Sequence, residues 1–391
     1  MNRSLTRRQV LERAALGGAA LTIPGFLAAC GGGVKGTGGT TAATTAATGA
    51  GTLAGKLTIS NWPLYIDVDE KTKRHPTLDA FTKELGVHVS YLEDVNDNDQ
   101  WFGKNQATLA QGKGIGRDLT VLTDWMAARM VRLGYVQKLD RSAIPNAANL
   151  VETLAHPGWD PNREYSLPWQ SGLTGVGYDP KRVGGDVTSV AQLLDDPKLK
   201  GKVAFLSEMP DTMGLMLLDG GSDPTKVDAT AFDAAIARLQ KGVDSGQIRQ
   251  FTGNDYAPLL AKGDLWACVA WSGDMVQLIA DNPSLRFGIP DPGGMIFTDN
   301  MLIPTGGDVF TASTFMNYVY RPEVAAQIEA YVNYICPVQG AKEEVAKLDP
   351  ALAANPLVFP DAATLAKVKI FDAEAADDKA LKQKFQAVIG A

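Results

Sequence analysis

Two carboxylates, Glu208 and Asp211, stand three residues apart in the stretch LSEMPDTMG, where an apolar run gives way to a helix-like segment. Such a pair can serve as general acid and base when different environments separate the two pKa values. It can also hold a cationic ligand through charge-assisted hydrogen bonds, or simply stabilise the first turn of a helix. The pair alone leaves all three explanations open, so neighbouring residues must decide between them.

Aromatic and acidic residues also follow other strand-like segments. They are Trp62 and Tyr65 after KLTIS, Thr123, Asp124 and Trp125 after DLTVL, Trp271 and Asp274 after ACVA, and Phe297 and Asp299 after a Gly-Gly pair. A single Trp in such a place is usually a core residue and a single Asp a helix N-cap, which would explain Asp124 and Asp274. Repetition at several strand ends favours instead a site for an organic cation, because carboxylates bind ammonium groups and rings cover an alkyl chain.

The elements that would position these residues alternate between strand-like and helix-like patterns. The strand pattern occurs in KLTISNW and VHVSYLED, and helical spacing with a glycine stop occurs between them, in TLDAFTKELG. We predict an α/β protein with largely parallel sheets, long enough for two domains. In such sheets ligands bind outside the C-terminal ends of the strands. The glycine-rich stretch SGLTGVGYD lacks the spacing of a phosphate loop, and we predict that it is a strand between lobes.

The N-terminus has the features of an export signal. Arg7 and Arg8 resemble a twin-arginine motif, an apolar run follows, and the sequence Leu-Ala-Ala-Cys ending at Cys30 matches a lipobox. We predict that residues 1–29 are removed as a signal peptide and that Cys30 is lipidated. Residues 30–55, rich in Gly, Thr and Ala, are predicted to form a flexible tether. The lipid would hold the exported body on the outer face of the cytoplasmic membrane.

Charge and rare residues argue against several functions. The signal peptide carries a net charge of +3, so its removal takes the formal charge from −7 to −10, and an acidic body is a poor partner for nucleic acid. The histidines His75, His88 and His156 are scattered. Cys268 and Cys336 form either one disulfide or two buried thiols, of which their apolar neighbourhoods favour the thiols. We therefore expect no metal, no cofactor and no catalytic residue.

Several stretches of the body together resemble a known family, the extracytoplasmic polyamine-binding proteins of ABC importers, of the spermidine/putrescine type. They are NWPLYI, DLTVLTDWMAARM, YSLPWQSGLTGVGYDP, LKGKVAFLSEMPD, AWSGD, GGMIFTDNMLIP and PDAATL. The resemblance implies ligand-binding roles for Trp62, Tyr65, Thr123, Trp125, Glu208, Asp211, Trp271, Phe297, Asp299 and Tyr334. The sequence departs from the family at two points that bear on ligand length: Phe297 replaces a Trp, and residues 369–372 contain no counterpart of a family Gln.

The resemblance also implies a fold and a role. The fold is the two-lobed periplasmic-binding-protein fold (type II-like), whose lobes are joined by crossing strands near 168–172 and 299–304 and close over ligand in the cleft between them. Its lobes are discontinuous in sequence, namely 56–170 with 299–340, and 171–298 with 341–391. The implied role is capture of a putrescine- or spermidine-type polyamine for delivery to an ABC permease in the membrane. The protein is expected to be a monomer without enzymatic activity.

Two alternative functions remain open from the sequence. One is a binding protein for another organic cation or an amino-acid derivative, although no Arg at the strand ends would clamp a carboxylate. The other is an exported hydrolase that uses Glu208 and Asp211 as acid and base. Against an enzyme, no His stands near these strand ends and no G-x-S-x-G motif is present.

Overall fold

The computed structural model describes residues 51–69 and 71–390. The predicted twin-arginine segment, Cys30 and most of the predicted tether lie outside the described residues. At the end of that tether, the backbone N–H of Ala54 donates to Thr311 Oγ1 at 2.8 Å, and Leu53 packs against the core. The last residues assigned to the tether therefore lie against the body.

The described residues form short strands interleaved with helices. The strands are β1 (Lys56–Asn61), β2 (His88–Glu93), β3 (Leu119–Thr123), β4 (Val136–Gln137), β5 (Ser166–Tyr178), β6 (Val203–Leu206), β7 (Ile248–Thr252), β8 (Ala267–Trp271), β9 (Arg286–Gly288), β10 (Gly294–Pro304) and β11 (Val368–Lys369). The helices are α1 (Pro76–Leu85), α2 (Asn98–Leu109), α3 (Asp124–Arg132), α4 (Pro180–Val183), α5 (Val190–Asp195), α6 (Met209–Asp219), α7 (Ala229–Asp244), α8 (Tyr256–Lys262), α9 (Ser272–Asp281), α10 (Val309–Val319), α11 (Pro322–Val332), α12 (Ala341–Leu348), α13 (Pro350–Ala353), α14 (Ala362–Leu365), α15 (Ala373–Asp377) and α16 (Lys379–Ile389). Short 3₁₀ turns occupy Arg141–Ala143, Pro145–Asn149, Glu152–Leu154 and Pro197–Leu199.

Local sequence explains where several elements begin and end. Helix α1 starts with Pro76 in its first position and stops at Gly86, whose φ of 71° is the left-handed conformation that glycine adopts without strain. Helix α7 starts after Asp228, whose side chain accepts a hydrogen bond from the backbone N–H of Ala231. The helix predicted from TLDAFTKELG and the strands on either side of it are confirmed.

The strands follow one path in the order β2-β1-β3-β10-β5-β8-β6-β7. Strand β1 is parallel to β2 and β3, and β6 is parallel to β7 and β8. The two long central strands, β5 and β10, are antiparallel to each other and to their outer neighbours β8 and β3. The sheet is therefore parallel at both ends and antiparallel at its centre, because β5 and β10 cross between the two parallel groups in opposite directions.

Each parallel group has its own aromatic core, and we call the groups around β1–β3 and β6–β8 the first and second lobes. In the first lobe, Phe81 of α1 packs edge-to-face against Phe315 of α10, with ring centroids 5.2 Å apart. In the second lobe, Phe251 of β7 packs against Phe205 of β6 and Phe385 of α16. Packing between aromatic side chains of its own elements therefore stabilises each lobe.

The C-terminal segment, predicted as part of the second lobe, contacts both lobes. Its helix α12 packs on α11, where Ala326 and Val345 share a small buried cluster. Helix α15 packs on α3 of the first lobe, and α16 packs on α7 of the second, where Lys384 pairs with Asp233. The last two helices therefore bridge the lobes on one side of the cleft.

Candidate ligand-binding site

A cavity lies between the lobes, at the ends of β1, β3, β6 and β8. It is lined by Trp62, Pro63, Tyr65, Thr123, Glu208, Asp211, Asn254, Trp271, Phe297, Asp299 and Tyr334. These include every residue of the predicted ligand-binding set except Trp125. Within each lobe the parallel strands end at the same edge, and the crossing strands β5 and β10 join the two lobes so that both sets of strand ends meet at the cavity.

Aromatic rings form a continuous wall of this cavity. The ring of Trp271 meets those of Trp62 and Phe297 edge-to-face, with centroids 6.3 Å apart in both pairs. The ring of Tyr334 meets Phe297 at 6.5 Å and Tyr65 at 4.9 Å, again edge-to-face. This is a favourable arrangement for aromatic pairs, and it fixes the rings as a rigid apolar surface.

Two glycines make room for these rings. A Cβ on Gly273, in the first turn of α9, would lie 2.1 Å from the ring of Tyr334. A Cβ on Gly172, in β5, would lie 2.5 Å from the ring of Phe297. Any larger residue at either position would displace a ring, so these glycines are required for the shape of the wall.

Asp299 lies in β10 at a register shift between Asp299 and Asn300, a β-bulge that re-aims side chains. Its Oδ2 accepts a hydrogen bond from the Tyr65 hydroxyl at 2.7 Å. Its Oδ1 accepts one from the hydroxyl of Thr123, its cross-strand neighbour in β3, at 2.8 Å. Burial raises the pKa of Asp299 to about 7, although both hydrogen bonds act to lower it.

Glu208 precedes α6, but its side chain does not cap that helix. Its Oε1 instead accepts hydrogen bonds from the backbone N–H and the side-chain Nδ2 of Asn98, at 2.9 and 3.1 Å, across the cleft in the first lobe. Burial raises the pKa of Glu208 well above its usual value, and the nearby charge of Asp97 adds to the increase. The residue therefore joins the lobes while presenting a carboxylate to the cavity.

Asp211 lies in the first turn of α6, where an acidic side chain favours the helix. Its carboxylate also accepts a hydrogen bond from the hydroxyl of Thr174 in β5. Burial raises its pKa to about 6. Asp211 therefore lies in the first turn of a helix and also lines the cavity, so the helix-stabilising role and a role in the cavity are compatible.

The three cavity carboxylates have only neutral hydrogen-bond donors around them. None of them forms an ion pair with a Lys or Arg among the described residues, and burial is the main cause of each raised pKa. A buried carboxylate without a counter-ion is unfavourable when charged, and a bound cation would remove that cost. The arrangement is therefore suited to hold a cation with an apolar body.

A second layer of polar residues supports Tyr334. Asp274 accepts hydrogen bonds from the Tyr334 hydroxyl at 2.9 Å, the Tyr256 hydroxyl at 2.7 Å and Asn254 Nδ2 at 3.0 Å. Asp274 therefore holds Tyr334, Tyr256 and Asn254 in place, in addition to any role in starting its helix. The remaining oxygen of Asn254, Oδ1, is buried without a hydrogen-bond partner among the described residues, as is the indole Nε1 of Trp62.

The family model for bacterial extracellular solute-binding proteins matches residues 77–360, well over half of the chain. The chain is a bacterial extracellular solute-binding protein. This family and the relatives below are substrate-binding transport proteins and not enzymes.

The solute-binding protein is 28% identical to the putrescine-binding periplasmic protein SpuD of Pseudomonas aeruginosa over 334 residues, 81% of this chain and 86% of the relative. It is 27% identical to the spermidine/putrescine-binding periplasmic protein of Escherichia coli over 294 residues, 74% of this chain and 80% of the relative. Two solved structures share its fold. PotD of Streptococcus pneumoniae has a TM-score of 0.68 at 24% identity, covering 85% of this chain and 97% of that one. The TpPotD lipoprotein of Treponema pallidum has a TM-score of 0.71 at 21% identity, covering 86% and 100%. The predicted two-lobed fold is confirmed.

Trp125 of the solute-binding protein lies outside the main cavity, although the resemblance implied a role in ligand binding. Its ring is buried at the start of α3, and the ammonium of Lys382 lies 4.1 Å from its centroid. A side chain of the protein itself therefore covers one face of this ring.

Two cavity residues of the solute-binding protein are absent from the predicted set. Pro63 lies between Trp62 and Tyr65, and Asn254 lies in the turn before α8. The sequence around Asn254, Thr-Gly-Asn-Asp, is typical of a turn and gives no sign of a site. Only the folded chain places its amide against the cavity.

Other expectations concern metals, membranes and cysteines. Over the residues that the structure describes, no group of three or more potential ligand side chains could hold a metal ion. In the same part of the chain, no helix combines the length and apolar character needed to cross a bilayer. Cys268 and Cys336 are buried free thiols, which confirms the second of the two alternatives for them.

Proposed function

We propose that this solute-binding protein captures a polyamine of the putrescine/spermidine type and delivers it to an ABC permease. The observation that carries the proposal is that three buried carboxylates without an ion pair and a wall of five aromatic rings meet in one cavity. The names of the relatives, which are putrescine- and spermidine/putrescine-binding proteins, support the same class of ligand.

In the proposed complex, one ammonium group of the ligand lies at Asp299 and a second lies near Glu208 and Asp211. The alkyl chain between them packs on Trp62, Trp271 and Phe297. Charge-assisted hydrogen bonds contribute about 1.5–3 kcal/mol each, so two or three of them with ring contacts account for micromolar affinity or better.

Closure of the lobes completes the site in this proposal. Asp299 and Tyr65 belong to one side of the cleft and Glu208 and Asp211 to the other, and the long strands β5 and β10 connect the sides. A diammonium ligand that contacts both sides favours the closed form, because it binds that form better than the open one. The permease would then recognise the closed, loaded protein.

The proposal places the protein outside the cytoplasmic membrane as a monomeric lipoprotein held through Cys30. The predicted signal peptide and lipobox support this location, as do the periplasmic relatives. We also propose that it has no enzymatic activity. No His and no Cys lines the cavity within the described residues, so the cavity carboxylates have no such partner for acid–base or nucleophilic chemistry.

Isothermal titration calorimetry of the body from residue 51 onward tests the proposal. Putrescine and spermidine should bind with dissociation constants in the micromolar range or below, whereas glutamate, arginine and a neutral alkyl alcohol should not. Binding of an amino acid in preference to the polyamines would contradict the proposal. Absence of binding by every amine tested would also contradict it.

A further inference from the structure

The chain supplies its own ammonium group next to the cavity. Lys382, in the first turn of α16, is only 8% exposed. Its Nζ donates to both carboxylate oxygens of Asp99, at 2.8 and 3.2 Å, and lies 4.1 Å from the ring centroid of Trp125. A carboxylate and an aromatic face are the two partners that a polyamine ammonium requires, and here both are occupied.

The position of this group matters because a second cavity adjoins the first. Trp125 is part of its lining. The two cavities share Thr123, Asp211 and Phe297 as wall residues. A ligand too long for the first cavity and extending past Asp211 would therefore approach Trp125.

Lys382 is also electrostatically coupled to the first cavity. Burial lowers its pKa, while the charges of Asp99 and Glu208 raise it again. Helix α16 is fixed to the second lobe, because its residue Phe385 packs against Phe251. The ammonium is therefore fixed in place on a packed helix and does not sit on a freely moving surface chain.

We propose that Lys382 is a specificity-determining residue that makes the site favour ligands with two ammonium groups over ligands with three. The inference rests on the proposed polyamine-binding function. Its ammonium pairs with Asp99 and occupies a face of Trp125, the ring that a third ammonium entering the second cavity would approach. It also repels a third ammonium that approaches, because like charges at short distance in a partly buried site are poorly screened. A diamine that fits the first cavity avoids both effects.

The substitution Lys382→Met tests this inference, because methionine keeps an unbranched apolar stem and removes the charge. The matched control is Lys384→Met, two residues further along the same helix. The ammonium group of Lys384 pairs with Asp233 of α7. Affinities for putrescine and spermidine are measured by calorimetry for wild type and both variants, and folding is checked by thermal melting. If Lys382→Met does not fold, Lys382→Gln replaces it.

In wild type, putrescine should bind more tightly than spermidine. Lys382→Met should improve spermidine binding by about tenfold or more, since the face of Trp125 becomes accessible to the third ammonium and the repelling charge is removed, and should change putrescine binding less than threefold. Lys384→Met should leave both affinities unchanged, and Lys382→Arg, which keeps the charge, should retain the wild-type preference.

An unchanged ratio of the two affinities in Lys382→Met would overturn the inference. An equal loss of both affinities would overturn it as well, because Lys382 would then act only by holding the lobes together. These results leave the proposed function intact as long as wild type binds a polyamine. If wild type binds neither amine, the proposed function fails and the inference fails with it.

Discussion

Two groups of acidic residues lie side by side in this protein and differ in what surrounds them. In the cavity, Glu208 and Asp299 accept hydrogen bonds from neutral donors only. At the bridge formed by the last two helices, Asp99 pairs with Lys382 and Arg129, and Asp377 pairs with Arg129 and Arg132. Among the described residues, direct ion pairs form in the second group, and Glu208 and Asp299 form none.

The difference explains how carboxylates inside a protein can remain available to a cationic ligand. A paired carboxylate has its counter-ion in the fold and gains little from a further cation. A buried carboxylate surrounded by hydroxyl and amide donors remains costly to ionise, so a ligand cation improves its environment. The cavity is thus suited to bind a cation, because its carboxylates have no ion pair among the described residues whereas Asp99 and Asp377 do.

The largest effect should come from removing two cavity charges. The double variant Glu208→Gln and Asp299→Asn keeps the shapes of both side chains but loses two charge-assisted hydrogen bonds, which is about 3–6 kcal/mol, or ~10²- to 10⁴-fold in polyamine affinity. Calorimetry measures the loss, and circular dichroism checks that the fold is kept. The matched control Asp228→Asn, at the exposed start of α7, should bind like wild type. Wild-type affinity in the double variant would show that the ligand lies elsewhere.

The next effect concerns pH. Burial raises the pKa of Asp211 to about 6 and of Asp299 to about 7, and both must be ionised to hold ammonium groups. Below these values the bound protons must leave before the ligand binds, so affinity should fall by about 100-fold or more from pH 8 to pH 5. Calorimetry in two buffers with different ionisation enthalpies measures the proton release.

The same groups affect the stability of the ligand-free protein in the opposite sense. Their folded-state pKa values lie above the unfolded ones, so their contribution to stability is fully present below about pH 4 and is lost as pH rises through 6–7. The rise in Tm caused by putrescine should therefore be larger at pH 8 than at pH 5. A pH-independent rise in Tm would contradict ionisation of these carboxylates in the complex.

The smallest effect should come from the paired group. Asp377→Asn removes partners of Arg129 and Arg132, of which Arg132 is 57% exposed, and partly exposed ion pairs contribute at most about 1 kcal/mol. We expect a drop in the free energy of unfolding of less than about 1 kcal/mol in urea titrations, and a change in putrescine affinity below threefold. A loss of binding as large as that of the double variant would mean that this group is part of the ligand site.

Short-range sequence patterns are enough to predict much of the secondary structure. The glycine stop of α1 and the strands on either side of it depend on local conformational preference, and their positions follow from the sequence. The antiparallel pairing of β5 with β10 could not be predicted in this way, because it depends on which distant strands become neighbours. The alternation of strand and helix patterns predicted largely parallel sheets instead.

The sequence by itself determined that Glu208, Asp211 and Asp299 follow strands together with aromatic residues, because residue type and spacing are properties of the chain. Only the tertiary structure decided that Asn254 enters the cavity and that Trp125 is covered by Lys382. Those two facts depend on contacts between elements that are far apart in sequence. The physical reason is that the local sequence specifies which groups can accept a cation or pack against one. The packing of distant elements decides whether a side chain of the protein already makes that contact or leaves it to a ligand.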